Sequence, residues 1–198
     1  MNENYAVDAL LMAALFAADR HSDQRRKDAA ASPYINHPLA VAEVLARHGV
    51  DDLITLQAAL LHDTIEDTET HPAELDSAFG AEVRSVVLEL TDDKQLDKAE
   101  RKRLQIAKSA RLSDRAKIVK LGDMICNVTD IASNPPVDRP LERRIEYLAW
   151  TEQVARGCRG VHERLEEHYE TALGDAREVL GRTYGSGQGV FDLGVSDE

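Results

Sequence analysis

Residues 53–67 of the chain read Leu-Ile-Thr-Leu-Gln-Ala-Ala-Leu-Leu-His-Asp-Thr-Ile-Glu-Asp. The first part of this stretch is too apolar for a surface helix and predicts a buried, central one. The last part places one imidazole and three carboxylates close together. If the helix continues through them, His62 shares a face with Glu66. Asp63 then lies beneath Asp67 in the same way. The stretch therefore predicts a polar site at the end of a central helix.

Helical periodicity recurs along the rest of the chain. A first helix is predicted over residues 5–20. On this helix Leu11, Leu15 and Ala18 fall on one side. No segment shows the alternation of apolar and polar residues that is typical of a β-strand. The fold class predicted is all-α, with about eight to ten helices.

A length of 198 residues suits one domain with its own core. We expect that domain to span residues 1–180 and the glycine-rich residues 181–198 to form a flexible tail. The cysteines, Cys126 and Cys158, form no paired motif and favour a reducing compartment. The sequence shows neither a signal peptide nor a membrane span, so we expect a cytoplasmic protein that binds no membrane.

Acidic residues outnumber basic residues by 36 to 24, which gives a formal net charge of −12. Because such a chain repels phosphate backbones, nucleic-acid binding is not expected. A small anionic substrate would need a local basic patch. Arg25-Arg26-Lys27 is one candidate, and the basic residues between Lys94 and Lys120 are another. Charge runs of this kind usually form solvated helix faces.

A divalent metal is the first chemistry to consider where a histidine meets carboxylates. His62 and Asp63 supply one nitrogen and one oxygen ligand. Further ligands are needed, and His37 and Asp123 are polar residues that interrupt apolar helix patterns elsewhere. Two imidazoles and two carboxylates suit Mn²⁺ or another first-row ion better than structural zinc, which prefers thiolates. Taken alone, His37 would be a helix-cap residue and Asp123 a surface carboxylate.

The reaction predicted from these groups is hydrolysis of a phosphoester or phosphoanhydride. Glu66 and Asp67 follow the metal residues by one turn, where they can orient an attacking water and exchange its proton. Arg26 and Lys27 can neutralise phosphate charge, since arginine makes bidentate contacts and lysine is a mobile point charge. Without the preceding His-Asp pair, Glu66 and Asp67 would be read as a capping cluster.

The order His37, His62-Asp63, Asp123 resembles the H…HD…D signature of the HD phosphohydrolase superfamily. More narrowly, the chain resembles the hydrolase domain of the RelA/SpoT family. Within that family it is similar to the single-domain small alarmone hydrolases of the metazoan SpoT homologue type. The segments that carry this resemblance are Arg25-Arg26-Lys27-Asp28, Pro33-Tyr34-Ile35-Asn36-His37-Pro38, Leu60-Leu61-His62-Asp63-Thr64-Ile65-Glu66-Asp67-Thr68 and Leu90-Thr91-Asp92-Asp93-Lys94.

The resemblance implies an HD-domain helical bundle that hydrolyses the 3′-pyrophosphate of guanosine tetra- or pentaphosphate. The products would be pyrophosphate and GDP or GTP, and the cofactor one Mn²⁺ per chain. By the same resemblance, the metal ligands are His37, His62, Asp63 and Asp123, the catalytic acidic pair is Glu66 and Asp67, and the substrate-binding residues are Arg26, Lys27, Asn127 and Tyr147. The family's synthetase domain is absent from the chain, so we expect degradation of the alarmone without synthesis.

The chain departs from the family pattern K-L-A-D-[KR]-x-x-N-x-R around Asp123. Two basic positions are Met124 and Thr129, and the alanine is Gly122. The anion-binding or nucleobase side of the pocket can therefore differ, which leaves other substrates open. Those substrates are an adenosine 3′-pyrophosphate or the 2′-phosphate of NADPH, and a non-catalytic nucleotide-binding regulator is a third alternative. Both monomer and homodimer remain open.

Overall fold

The computed structural model describes residues 3–185 and is all-α over that range, as the sequence predicts. Within it, the only β-type pairing is an isolated bridge between Arg25 and Pro33. No helix in the described part of the chain is long and apolar enough to cross a membrane. The helices are α1 (Glu3–Arg20), α2 (Asn36–Arg47), α3 (Leu53–Leu61), α4 (Thr64–Asp67), α5 (Pro72–Phe79), α6 (Ala81–Leu90), α7 (Lys98–Ser109), α8 (Asp114–Ser133), α9 (Leu141–Gly157) and α10 (Glu163–Gly185).

Helix α3 is central, as its apolar sequence predicts. Every residue from Thr55 to Leu61 is buried, and the helix packs against α1, α2, α6 and α8. Asp52 caps its N-terminus by accepting a hydrogen bond from the Thr55 N–H. Burying a leucine stabilises a fold by roughly 1.5–3 kcal/mol, so this short helix anchors the bundle. This packing therefore holds the C-terminal end of α3 in a fixed position.

Helix α8 is the second buried element, and it lies between α2, α3 and α10. Ser113 caps it by accepting the Ala116 N–H. The closest approach to α2 occurs at Gly122, where a Cβ would lie 2.8 Å from Leu45 Cδ2. A side chain at this position would push the two helices apart. The glycine thus lowers the helix propensity of α8 but allows a short distance between α8 and α2.

Helix α1 has the predicted length but buries a different face. Ala9, Ala13 and Ala17 form its buried side, whereas Leu11 and Leu15 are 59% and 71% exposed. The side that carries Leu11 and Leu15 is therefore not the one that packs into the core. Alanine side chains are small enough for the α1 backbone to come close to α3, which a row of leucines would prevent.

The central helix does not continue through the polar stretch, which was the condition for His62 to share a face with Glu66. It ends at Leu61, and α4 begins at Thr64 after a turn at residues 62–63. The Thr64 hydroxyl donates to the Leu61 carbonyl at 2.7 Å, which competes with the regular helical hydrogen bond. The Asp67 N–H still bonds to the Asp63 carbonyl, so these two residues keep helical spacing.

The C-terminal region consists of two long helices, with α9 ending at Gly157 and α10 starting at Glu163. Helix α10 then extends to Gly185, beyond the boundary expected at residue 180. Leu180 is buried and anchors this last part of the helix. The rest of the predicted tail, residues 186–198, lies outside the described residues. Cys126 and Cys158 are free and buried.

A substitution at Gly157 tests the packing of α9 against the end of α7. A Cβ at this position would collide with the Ser109 side chain and lie 2.8 Å from the Ala110 backbone nitrogen. We expect Gly157→Ala to lower the free energy of unfolding by about 1–3 kcal/mol, the usual effect of overpacking.

The matched control is Gly174→Ala in α10, where nothing lies within 4 Å of the added Cβ. It should raise the free energy of unfolding by about 0.5–1 kcal/mol because alanine favours the helix. Urea denaturation of both variants measures the difference. Equal stabilities would show that α7 and α9 are not closely packed at this point.

Candidate functional site

Three helical elements bring His37, His62 and Asp123 together. His37 lies in the first turn of α2, His62 follows α3, and Asp123 is in the middle of α8. The His37 Nε2 atom is 3.1 Å from Asp123 Oδ1, and the His62 Nε2 atom is 4.0 Å from the same oxygen. One ligand atom from each residue lies within 4.8 Å of the others, so this group could hold a metal ion.

The state of His62 fits a metal ligand. Its Nδ1 lies 2.8 Å from the Ala59 carbonyl, and because a carbonyl can only accept, Nδ1 carries the proton. Its Nε2 is buried and makes no hydrogen bond. A buried ring nitrogen without a hydrogen-bond partner is unfavourable, and a metal ion that displaces its proton would supply the missing partner. This backbone contact also fixes the ring orientation, as hydrogen bonds to the other ring nitrogen of metal-binding histidines do.

Asp63 lies beside these three groups. Its Oδ2 is 3.2 Å from His62 Nε2 and 3.9 Å from His37 Nε2. The same oxygen accepts a 2.6 Å hydrogen bond from the Tyr34 hydroxyl. The structure therefore places all four residues that the sequence proposed as ligands around one point.

Charges at the site compensate one another. Burial opposes ionisation of Asp123, but the Lys120 ammonium, 3.1 Å from Oδ2, and His37 hold the pKa of this carboxyl well below its usual range. Asn127 also donates to Asp123 Oδ1, at 2.5 Å. For His62, burial lowers the pKa, but the carboxylates of Asp63 and Asp123 outweigh it and raise that pKa to about 9.

Glu66 and Asp67 point to different neighbours. Glu66 Oε2 accepts the Asp92 N–H at 3.0 Å, and its Oε1 lies 3.6 Å from Arg101. Burial raises the pKa of Glu66, with smaller effects from neighbouring carboxylates. Asp67 accepts from Lys94 at 2.6 Å and lies 3.4 Å from the Tyr34 hydroxyl. Both carboxylates are thus held in place.

Two adjoining cavities open at the site. The large cavity, about 1150 Å³, is lined by His37, Asp63, Glu66 and Asp123. The small cavity, about 520 Å³, is lined by Asp67. Both share the proposed substrate-binding residues Arg26, Lys27, Asn127 and Tyr147. Their combined space suits a nucleotide-sized ligand.

The loop between α1 and α2 carries Arg26 and Lys27 into these cavities. Hydrogen bonds from the Arg26 N–H to the Ser32 carbonyl and from the Tyr34 N–H to the Gln24 carbonyl close the loop. The Arg26 guanidinium pairs with Asp130 at 2.5 Å and lies 5.8 Å from the centre of the Tyr34 ring. The loop is therefore held from both sides.

The large cavity is also lined by basic and aromatic residues, and the sequence pattern did not single out these residues individually. They are Lys98, Arg101, Lys102, Lys120, Arg139, Arg143 and Trp150. Lys102 Nζ lies 5.0 Å from the Trp150 ring and 5.7 Å from the Tyr147 ring. The sequence marked residues 94–120 as basic, but a charge run does not show which of its members face a cavity. Lys120 had a usable signal, because it precedes Asp123 by three residues on a helix.

The two residues that depart from the family pattern lie away from both cavities. Met124 is 1% exposed and belongs to the core, and Thr129 is exposed on α8. Neither lines either cavity. In this chain the side chains at these two positions therefore form no part of the cavity walls.

Comparison with known proteins gives the family. The HD domain model matches residues 13–148. The chain belongs to the HD domain family. Within these HD domain proteins, a human relative named guanosine-3′,5′-bis(diphosphate) 3′-pyrophosphohydrolase MESH1 is 49% identical over 159 residues, which is 80% of this chain and 89% of that protein. The HD domain match includes the four proposed metal ligands, Glu66, Asp67 and the four proposed substrate-binding residues.

Two further matches differ in extent. A solved structure described as a metazoan ortholog of SpoT that hydrolyses ppGpp and plays a role in starvation responses superposes with a TM-score of 0.81. It is 39% identical, and the match covers 84% of this chain and 94% of that one. The GTP pyrophosphokinase rsh of Brucella ovis is 38% identical over 128 residues, 61% of this chain but 17% of that protein.

Metal binding at this site should release a proton. Because the pKa of His62 is about 9, the metal-free site holds a proton on this imidazole below that pH, and a metal must displace it. We expect the apparent Mn²⁺ affinity to rise by about tenfold per pH unit towards pH 9 and then to level off. Titration calorimetry in buffers of different ionisation enthalpy measures both affinity and proton release.

His71 supplies the control for this titration, since it is exposed and starts α5. The His71→Asn variant should keep the wild-type slope, because asparagine retains the cap. An Mn²⁺ affinity that stays constant below pH 9 would contradict the linkage to His62.

Proposed function

We propose that the chain is a metal-dependent guanosine 3′,5′-bis(diphosphate) 3′-pyrophosphohydrolase. It would release pyrophosphate and leave GDP, or GTP when the substrate is the pentaphosphate. The observation that carries the proposal is the grouping of His37, His62, Asp63 and Asp123 beside two held carboxylates, at the wall of a basic cavity. The identity to relatives that are named for this reaction supports the same substrate.

The ion proposed is Mn²⁺, held by the two imidazoles and by Asp63 and Asp123. The donor set supports a first-row ion that accepts nitrogen and oxygen, because no thiolate faces the described site. When bound, such an ion supplies Lewis-acid polarisation of phosphate oxygens and a lowered pKa of water. The unpartnered Nε2 of His62 supports its place in the set.

Glu66 and Asp67 are proposed as the groups that orient the attacking water and move its proton. In the hydrolysis, the water oxygen forms a bond to the phosphorus attached to the 3′ oxygen, and the bond between that phosphorus and the 3′ oxygen breaks. One water proton passes to a carboxylate and then to the 3′ oxygen. The raised pKa of Glu66, caused chiefly by burial, suits a group that holds a proton transiently.

The nucleotide itself is proposed to bind across both cavities. Arg26 and Lys27 neutralise phosphate, and the half-buried Tyr147 offers an aromatic face to the base. Asn127 lines both cavities and also donates a hydrogen bond to Asp123, so it connects the nucleotide site with the proposed metal ligands. The two free thiols support a cytoplasmic location. The net charge of −12 supports a small nucleotide, and not a nucleic acid, as the substrate.

Incubation of the Mn²⁺-loaded protein with ppGpp tests the proposal directly. Ion-exchange chromatography should show GDP and pyrophosphate in equal amounts. An adenosine 3′-pyrophosphate and NADPH are the parallel substrates. A higher kcat/KM for either of them would replace the guanine substrate, and tight ppGpp binding without turnover would instead indicate a regulator.

Substitution of the acidic pair separates metal binding from proton transfer. We expect Glu66→Gln and Asp67→Asn each to lower kcat by about 10²–10⁴-fold, because an amide cannot take up the proton. Mn²⁺ content, measured by atomic absorption, should stay close to that of the wild type. Glu69→Gln is the matched control, since Glu69 is exposed two residues further along. Full activity of either site variant would disprove its acid–base role.

A further inference from the structure

The hydroxyl of Tyr34 is the one phenol in the described residues that donates to a carboxylate of the proposed metal set. It donates to Asp63 Oδ2 at 2.6 Å. That oxygen is also the one that faces both Nε2 atoms, at 3.2 Å from His62 and 3.9 Å from His37. With one lone pair engaged by the phenol, the other is directed towards the two imidazoles. We propose that Tyr34 is a positioning residue that orients Asp63 for metal binding, an inference that rests on the proposed function for its catalytic part.

The ring of Tyr34 is held firmly enough for this role. The His21 ring lies 4.8 Å from it in a tilted stack, and the His37 ring meets it edge-on at 6.1 Å. His21 is 2% exposed, so the contact is rigid. The Tyr34 N–H also bonds to the Gln24 carbonyl at 3.1 Å. The hydroxyl therefore has little freedom to leave Asp63.

The same tyrosine connects the metal residues to the acidic pair. Its hydroxyl lies 3.4 Å from Asp67 Oδ2. From the other side, the Gln24 amide donates to the Asp67 carbonyl at 2.6 Å and accepts from His21 at 2.9 Å. Tyr34, His21 and Gln24 thus form one support beneath both carboxylates. Partners of this kind typically change metal affinity or activity by 10–100-fold when removed.

Tyr34→Phe removes the hydroxyl and keeps the ring contacts with His21, His37 and Arg26. We expect the Kd for Mn²⁺ alone, followed by electron paramagnetic resonance, to rise by about 10–100-fold. At saturating Mn²⁺, kcat for ppGpp should fall by a similar factor, while KM stays near the wild-type value because the nucleotide contacts remain. A purely structural role would lower the thermal stability without this split between kcat and KM.

Tyr169→Phe is the matched control. The Tyr169 hydroxyl is also buried and donates to Thr151 Oγ1 at 3.0 Å, but it joins α10 to α9. This variant should keep wild-type Mn²⁺ affinity and kcat. A Tyr34→Phe protein with Mn²⁺ affinity within twofold of the wild type would overturn the inference. If the wild type binds Mn²⁺ but does not hydrolyse ppGpp, the proposed function fails, and the Mn²⁺ titration still decides the role of Tyr34.

Discussion

The rest of the site depends on how the carboxylate of Asp123, which is largely shielded from solvent, is compensated by its neighbours. An ionised group in the interior is tolerated only when other charges and hydrogen bonds compensate it, and Asp123 has His37, Lys120 and Asn127. His37 comes from α2, so this compensation requires α8 and α2 to lie close together. The neighbouring Gly122 makes that possible, because its missing side chain leaves room for Leu45. Packing and electrostatics at this point are therefore a single constraint.

Basic side chains gather around one cavity even though the chain as a whole is acidic. The basic side chains of the large cavity come from separate elements: the α1–α2 loop, α7, α8, the connection before α9, and α9 itself. No single sequence run contains them all, and several are partly sheltered from solvent, where charge acts more strongly than at the surface. The large cavity thus combines basic side chains with the acidic ones of the proposed site, although the chain as a whole has a net charge of −12.

The sequence predicted those features that disturb a regular pattern. His37, His62, Asp63 and Asp123 each interrupt an apolar helix, and the structure brings them together. Tyr34 and Trp150 were not predicted as site residues, because nothing in their periodicity distinguishes a cavity wall from a half-buried surface. The buried face of α1 does not follow from hydrophobicity, because the contact with α3 is made by Ala13 and Ala17 and not by the leucines. The helix break after Leu61 depends on one hydroxyl contact from Thr64, which periodicity cannot show.

Glu66 and Asp67 are adjacent in the chain but line different cavities, and each has its own partners. Because the short helix α4 turns the two side chains apart, neither carboxylate can swing into the position of the other without breaking the contacts that hold it. The two carboxylates are therefore not equivalent, and one cannot replace the other. A bound ligand would be enclosed between two separate carboxylates, and each position along this four-residue helix is constrained independently.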